Sequence, residues 1–63
     1  MRLFVTDNEG LHWDIRKRGP ANVSVEVVTT RGTKPDWGER INHEWHGRIP
    51  PKEVLLKMEQ EGY

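Results

Sequence analysis

The chain contains no cysteine, which excludes disulfide staples, thiolate metal sites and cysteine nucleophiles. No apolar run approaches the ~18 residues that a membrane-crossing helix needs. The start, M-R-L-F-V-T-D-N, lacks the charged-then-apolar layout of a secretory signal, so a cytoplasmic protein is the expectation. An excess of charge is missing too. Ten basic residues face ten acidic ones. Residues 1–48 hold eight Lys or Arg against seven Asp or Glu, and residues 49–63 hold two against three. Such a chain has no long-range field to gather nucleic acid or an anionic membrane.

Serine is nearly absent. The single Ser24 lies inside an alternating segment, with no turn to expose it as a nucleophile. The six glycines are scattered and form no phosphate-cradling loop, and Gly32-Thr33-Lys34 lacks the glycine frame such a loop requires. Apolar residues are 33% of the chain and charged residues 32%. At 63 residues one domain is expected, near the lower limit for folding without a disulfide or metal. Three Trp help, since each can bury roughly 150–250 Å².

The clearest pattern is Asn22 to Thr30, N-V-S-V-E-V-V-T-T. Val23, Val25, Val27 and Thr29 alternate with Ser24, Glu26, Val28 and Thr30, the period of a strand with one buried face. It is expected at the middle of a small sheet. Arg2 to Thr6 makes a second strand, with Leu3 and Val5 opposite Phe4. Asp7-Asn8-Glu9-Gly10 is turn chemistry. Leu11 to Arg16 alternates again, turning Leu11, Trp13 and Ile15 inward and His12, Asp14 and Arg16 outward. Residues 17–21 read as a basic connector. Residues 31–42, with Gly32, Pro35 and Gly38 and no sustained period, read as a long loop of the kind that often carries function. His43 to Ile49 suggests a fourth, edge strand with Trp45 and Ile49 inward, although Gly47 weakens it.

Pro50-Pro51 stops that strand and opens the only expected helix, residues 51 to 61. Glu53 suits its first turn, Gly62 its stop, and Val54, Leu55 and Met58 form a narrow apolar stripe. Leu56 falls on the opposite side. The fold class is therefore α+β, a small antiparallel three- to four-stranded sheet packed against one C-terminal helix, in a single domain over residues 1–63.

For chemistry, His43-Glu44-Trp45-His46 is one residue short of the H-E-x-x-H zinc motif, and in a strand its two histidines point to opposite faces. Pairs such as His12 with Asp14 or His46 with Glu44 lack the water-excluded volume that acid–base catalysis uses. Neither a cofactor nor a metal is implied, and a non-enzyme is expected. The tail G-R-I-P-P-K-E-V-L-L-K-M-E-Q-E-G-Y resembles that of toxin ribonucleases of the HicA type, which end in a strand, a proline-marked helix and a glycine. Their N-terminal helix and G-S-H motif are missing here, so no residue role transfers.

Two surfaces remain. One is Trp37 in Pro35-Asp36-Trp37-Gly38, which either folds back over the open end of the core or anchors a partner protein. In the second case Asp36, Glu39 and Arg40 form a polar rim around Trp37, and Asp36, Trp37 and Arg40, with His46 and Arg48 on the nearby edge, make the partner surface. The other is the polar sheet face, where Phe4 and Val28 make an apolar island. There Arg2, Arg16 and Arg48, with Lys17 and Arg18 beside them, offer an alternative nucleic-acid surface, opposed by Asp14 and Glu26. The leading expectation is a stand-alone protein-binding module, an accessory protein or inhibitor of the phage type by analogy of size. A sheet-face nucleic-acid binder comes second, and a small metal-dependent or toxin-like enzyme third. Oligomeric state and the partner's identity are not encoded in any motif.

Overall fold

Val23, Val25 and Val27 are all buried, with Val25 fully so, and the strand they define lies at the centre of the sheet. The computed structural model describes residues 2–28 and 36–63. Among these, β1 (Arg2–Thr6), β2 (His12–Gly19), β3 (Asn22–Val28), β4 (Trp37–Ile41) and β5 (Glu44–Gly47) precede α1 (Lys52–Gln60). The strands pair in chain order as one antiparallel meander. The α+β class and the C-terminal helix hold, but the sheet has five strands rather than three or four.

Two segments read as connectors are strand. Residues 17–19 prolong β2, leaving a turn of Pro20 and Ala21, because Arg18 is absorbed as a bulge between the Lys17–Val23 and Gly19–Asn22 pairs. Residues 37–41, assigned to the long loop, form β4. Residues 29–35, where the central strand was expected to end and the loop to begin, lie outside the described residues. The β4–β5 connection is a two-residue hairpin turn in which Asn42 and His43 both take positive φ, 49° and 70°, as a type I′ turn demands.

Gly38 explains why β4 escaped the sequence reading. It sits opposite Gly47, and the backbone leaving β5 crosses directly over it. A Cβ on Gly38 would meet Arg48 N at 2.6 Å and Arg48 C at 2.8 Å. This glycine permits a close backbone approach inside a strand rather than marking a loop. Gly47 has φ +80°, so the chain turns there instead of continuing the alternation.

One sheet face carries the core: Trp13, Ile15, the three valines and, from the helix, Val54 and Met58. Leu3, Val5, Leu11, Trp45, Leu55 and Tyr63 pack around them. The expected helical stripe is thus correct, and Leu56 is exposed. Tyr63 N–H donates to the Met58 carbonyl and Gly62 N–H to that of Glu59, the paired bonds of a Schellman stop. At the other end, Asn8 N–H donates to Glu53 Oε2 at 2.9 Å, tying the β1–β2 turn to the first helical turn. Asp7 organises that turn: its carboxylate accepts from the Glu9 and Leu11 amides and from Trp13 Nε1, each at 2.9 Å. The Trp13 bond, with the amides, holds the Asp7 carboxyl below its usual range. No helix among the described residues is long and apolar enough to cross a membrane.

Candidate functional site: the open sheet face

Among the described residues the helix covers one side of the sheet only, so the other side is an open face whose side chains line up by strand register. Cross-strand partners share a face. Phe4 pairs with Asp14, Asp14 with Glu26 and Glu26 with Trp37, which sets four residues in one row across β1 to β4. A second row runs Arg2, Arg16, Ser24, Glu39, His46. A third runs Thr6, His12, Val28. At the usual strand spacing, Phe4 and Trp37 stand about 14 Å apart.

Both aromatics are exposed, Phe4 at 67% and Trp37 at 63%, with Val28 at 46%. Trp37 therefore does not cap the core. It forms one wall of a shallow depression shared with Asp14, Arg16, Arg18, Ser24 and Glu26. Phe4 and Val28 border a second, more apolar depression with Thr6 and His12, so the apolar island is real.

Asp14 is only 4% exposed although no element among the described residues covers this face. Arg2 grips it with Nε to Oδ1 at 3.0 Å and Nη2 to Oδ2 at 2.7 Å, and Arg16 Nη2 adds a bond at 3.3 Å. The bidentate geometry is the strong form of this contact. Arg2, then Arg16, keeps the Asp14 carboxyl below its ordinary range against the opposing effect of desolvation, and Asp14 raises Arg2 in turn. Arg2 also lies over the Phe4 ring, 5.1 Å from its centre. The acid expected to repel an anionic partner is thus neutralised within the protein.

The face divides electrostatically. Its β1–β2 half carries Arg2, Arg16 and Arg18, with Asp14 beneath; Arg18 Nε donates to Ser24 Oγ at 3.1 Å. Its β3–β5 half carries Glu26, Glu39 and Glu44, none in an ion pair among the described residues. Basic and acidic halves lie side by side.

The expected partner residues do not form one surface. Trp37 and His46 share the open face. Asp36 and Arg48 pair at its rim, 3.0 Å apart, but the turn at Gly47 sends Arg48 over the Trp13 ring on the helix side, not beside His46. Ile49, expected inside, is 57% exposed for the same reason. Arg40 alternates with Glu39 onto the helix side, where it stacks on Trp45 and donates to the Tyr63 carbonyl. The alternative nucleic-acid set splits likewise. Arg2, Arg16 and Arg18 share the open face, whereas Lys17 sits over Tyr63 and Arg48 over Trp13, both on the helix side.

The histidines do not converge. His12 is bonded to Thr6 Oγ1 at 3.0 Å, His43 occupies the hairpin turn, and His46 lies across from Glu39. Among the described residues no three His, Asp or Glu side chains cluster as a metal site would require. The Phe4–Trp37 row, and the place of Glu39 in the Arg2–Arg16–Ser24 row, went unseen in the sequence, which set Glu39 only in a polar rim around Trp37. Their only signal was the alternation of Trp37, Glu39 and Ile41, interrupted by Gly38. No family model, curated protein or solved structure matches this chain.

Proposed function

We propose that this protein is a protein-binding module that works through its open sheet face. The observation that carries the reading is Trp37, 63% exposed on a regular strand. A strand holds the ring with little ordering cost, and Trp is enriched among the residues that dominate interfaces. Phe4 and Val28 widen the apolar contact, and the surrounding charges supply a polar rim. This profile suits a cytoplasmic accessory protein or inhibitor acting on a larger protein, without catalysis of its own. A nucleic-acid reading draws on Phe4 with Arg2, Arg16 and Arg18, a small stacking platform beside cations. The acids Glu26, Glu39 and Glu44 on the same face count against it, since phosphate binding needs concentrated positive charge.

The test is Trp37→Ala. Because the ring is exposed, the change should stay within about 0.5 kcal/mol of the parent's stability while capture of partners from a cell extract falls at least about tenfold. A large drop in melting temperature, or unaltered capture, refutes the role given to Trp37. Submicromolar binding to single-stranded nucleic acid, lost with Phe4→Ala, would put the second reading first.

A further inference from the structure

We infer that the partner for which this face is built includes a second copy of the chain, packed face to face across a two-fold axis that runs parallel to the strands between β2 and β3. This rests on the reading of the open face as a protein interface, and charge arrangement is what selects the occupant. A face with one basic and one acidic half is self-complementary under one symmetry operation and self-repelling under another. Rotation about an axis parallel to the strands carries β1 of one copy over β4 of the other. The register then sets Arg2 opposite the second copy's Glu39, Arg16 opposite its Ser24 and Phe4 opposite its Trp37. The exposed aromatics, set in one row about 14 Å apart, meet twice, once on each side of the axis. Asp14, beneath its arginines and 4% exposed, adds little repulsion against the second copy's Glu26. Rotation about the other in-plane axis would stack β1 on β1 and β4 on β4, laying the basic half on the basic half and the acidic half on the acidic half. The charges therefore choose one dimer and reject the other.

Footprint sets the strength. The four strands that overlap, β1 to β4, at about 4.8 Å spacing and about 3.3 Å per residue, give a shared face of roughly 300 Å² in plan. Protruding side chains enlarge that, but only to the low end of the ~800 Å² per partner of standard interfaces. A micromolar dimer is expected, dissociating at low concentration and leaving the face available to other proteins.

Sedimentation velocity of the full chain from about 1 µM to about 1 mM tests this, since that span brackets a micromolar constant. The parent should pass from monomer to dimer within the range, with Trp37 emission shifting to the blue as the ring leaves water. Glu39→Arg replaces an attractive cross-copy contact by a repulsive one at a half-exposed position of the open face and should weaken the dimer at least about tenfold. Trp37→Ala should do the same, with circular dichroism showing both variants folded. A parent that stays monomeric to about 1 mM, or a dimer indifferent to both substitutions, overturns the inference. If the monomeric parent still captures an extract protein in a Trp37-dependent way, self-association alone has failed. If that capture is also independent of Trp37, the interface reading falls with it.

Discussion

Gly38→Ala is the most revealing single change in this fold. The added methyl group is small, and at an ordinary strand position replacing Gly by Ala removes an entropic cost and is mildly stabilising. Here the new Cβ would lie 2.6 Å from Arg48 N and 2.8 Å from Arg48 C. The obstacle is main chain, so no rotamer change relieves it. Either β4 separates from the crossing segment or that segment lifts off the sheet, disturbing the Arg48 N–H bond to the Trp37 carbonyl at 3.3 Å and the Arg48–Trp13 stack. Overpacking of this kind costs about 1–3 kcal/mol, and a backbone obstacle puts the value toward the upper end. For a domain of this size each kcal/mol moves the melting temperature by about 4–8 °C, so a fall of roughly 10–20 °C is expected. Thermal melts by far-ultraviolet circular dichroism measure it. Gly19→Ala is the control, because a Cβ there meets nothing within 4 Å and should change stability by less than about 0.5 kcal/mol. If Gly38→Ala melts within about 2 °C of the parent, the close crossing is not a structural requirement and the account of β4 is wrong.

Three further outcomes follow from the same structure. His43 holds φ 70° in the hairpin turn, a conformation costing a side-chain-bearing residue about 1–2 kcal/mol; His43→Gly should raise the melting temperature by a few degrees, offset in part by glycine's own entropy, and a fall would refute the type I′ assignment. Val25, fully buried at the sheet centre, should cost about 1–3 kcal/mol when changed to Ala, measured by urea unfolding, and its amide should be among the slowest to exchange. Asp7 and Asp14 both titrate below their ordinary range in the folded protein, so their contribution to stability is fully present above the unfolded value of about 3.9 and is lost as pH falls from there through the folded values. Asp14→Asn should lower stability at neutral pH and flatten the acid limb of melting temperature against pH, whereas an unchanged slope would show that the Arg2–Asp14 contact is not linked to folding.

What the sequence determined by itself was local. The β3 valines, the turn at Asp7, the Leu11–Trp13–Ile15 alternation, the proline start, the Gly62 stop and the Val54–Leu55–Met58 stripe were all legible, because period and turn chemistry act over a few residues. Tertiary structure decided the rest. Gly38 reads as loop punctuation until the Arg48 backbone is seen crossing it, and that single contact concealed a strand. Arg40 and Arg48 looked like neighbours of His46, yet strand alternation and the positive φ of Gly47 send both to the helix side. Asp14 looked like a wet acid until the register placed Arg2 across from Arg16, diagonal to Asp14 and within reach of its carboxylate. The pairing of Phe4 with Trp37 in one row spans 33 positions of sequence and depends on three successive registers. No local pattern carries that information: register is chosen by the whole sheet, since a slip of one residue would exchange its buried and exposed faces.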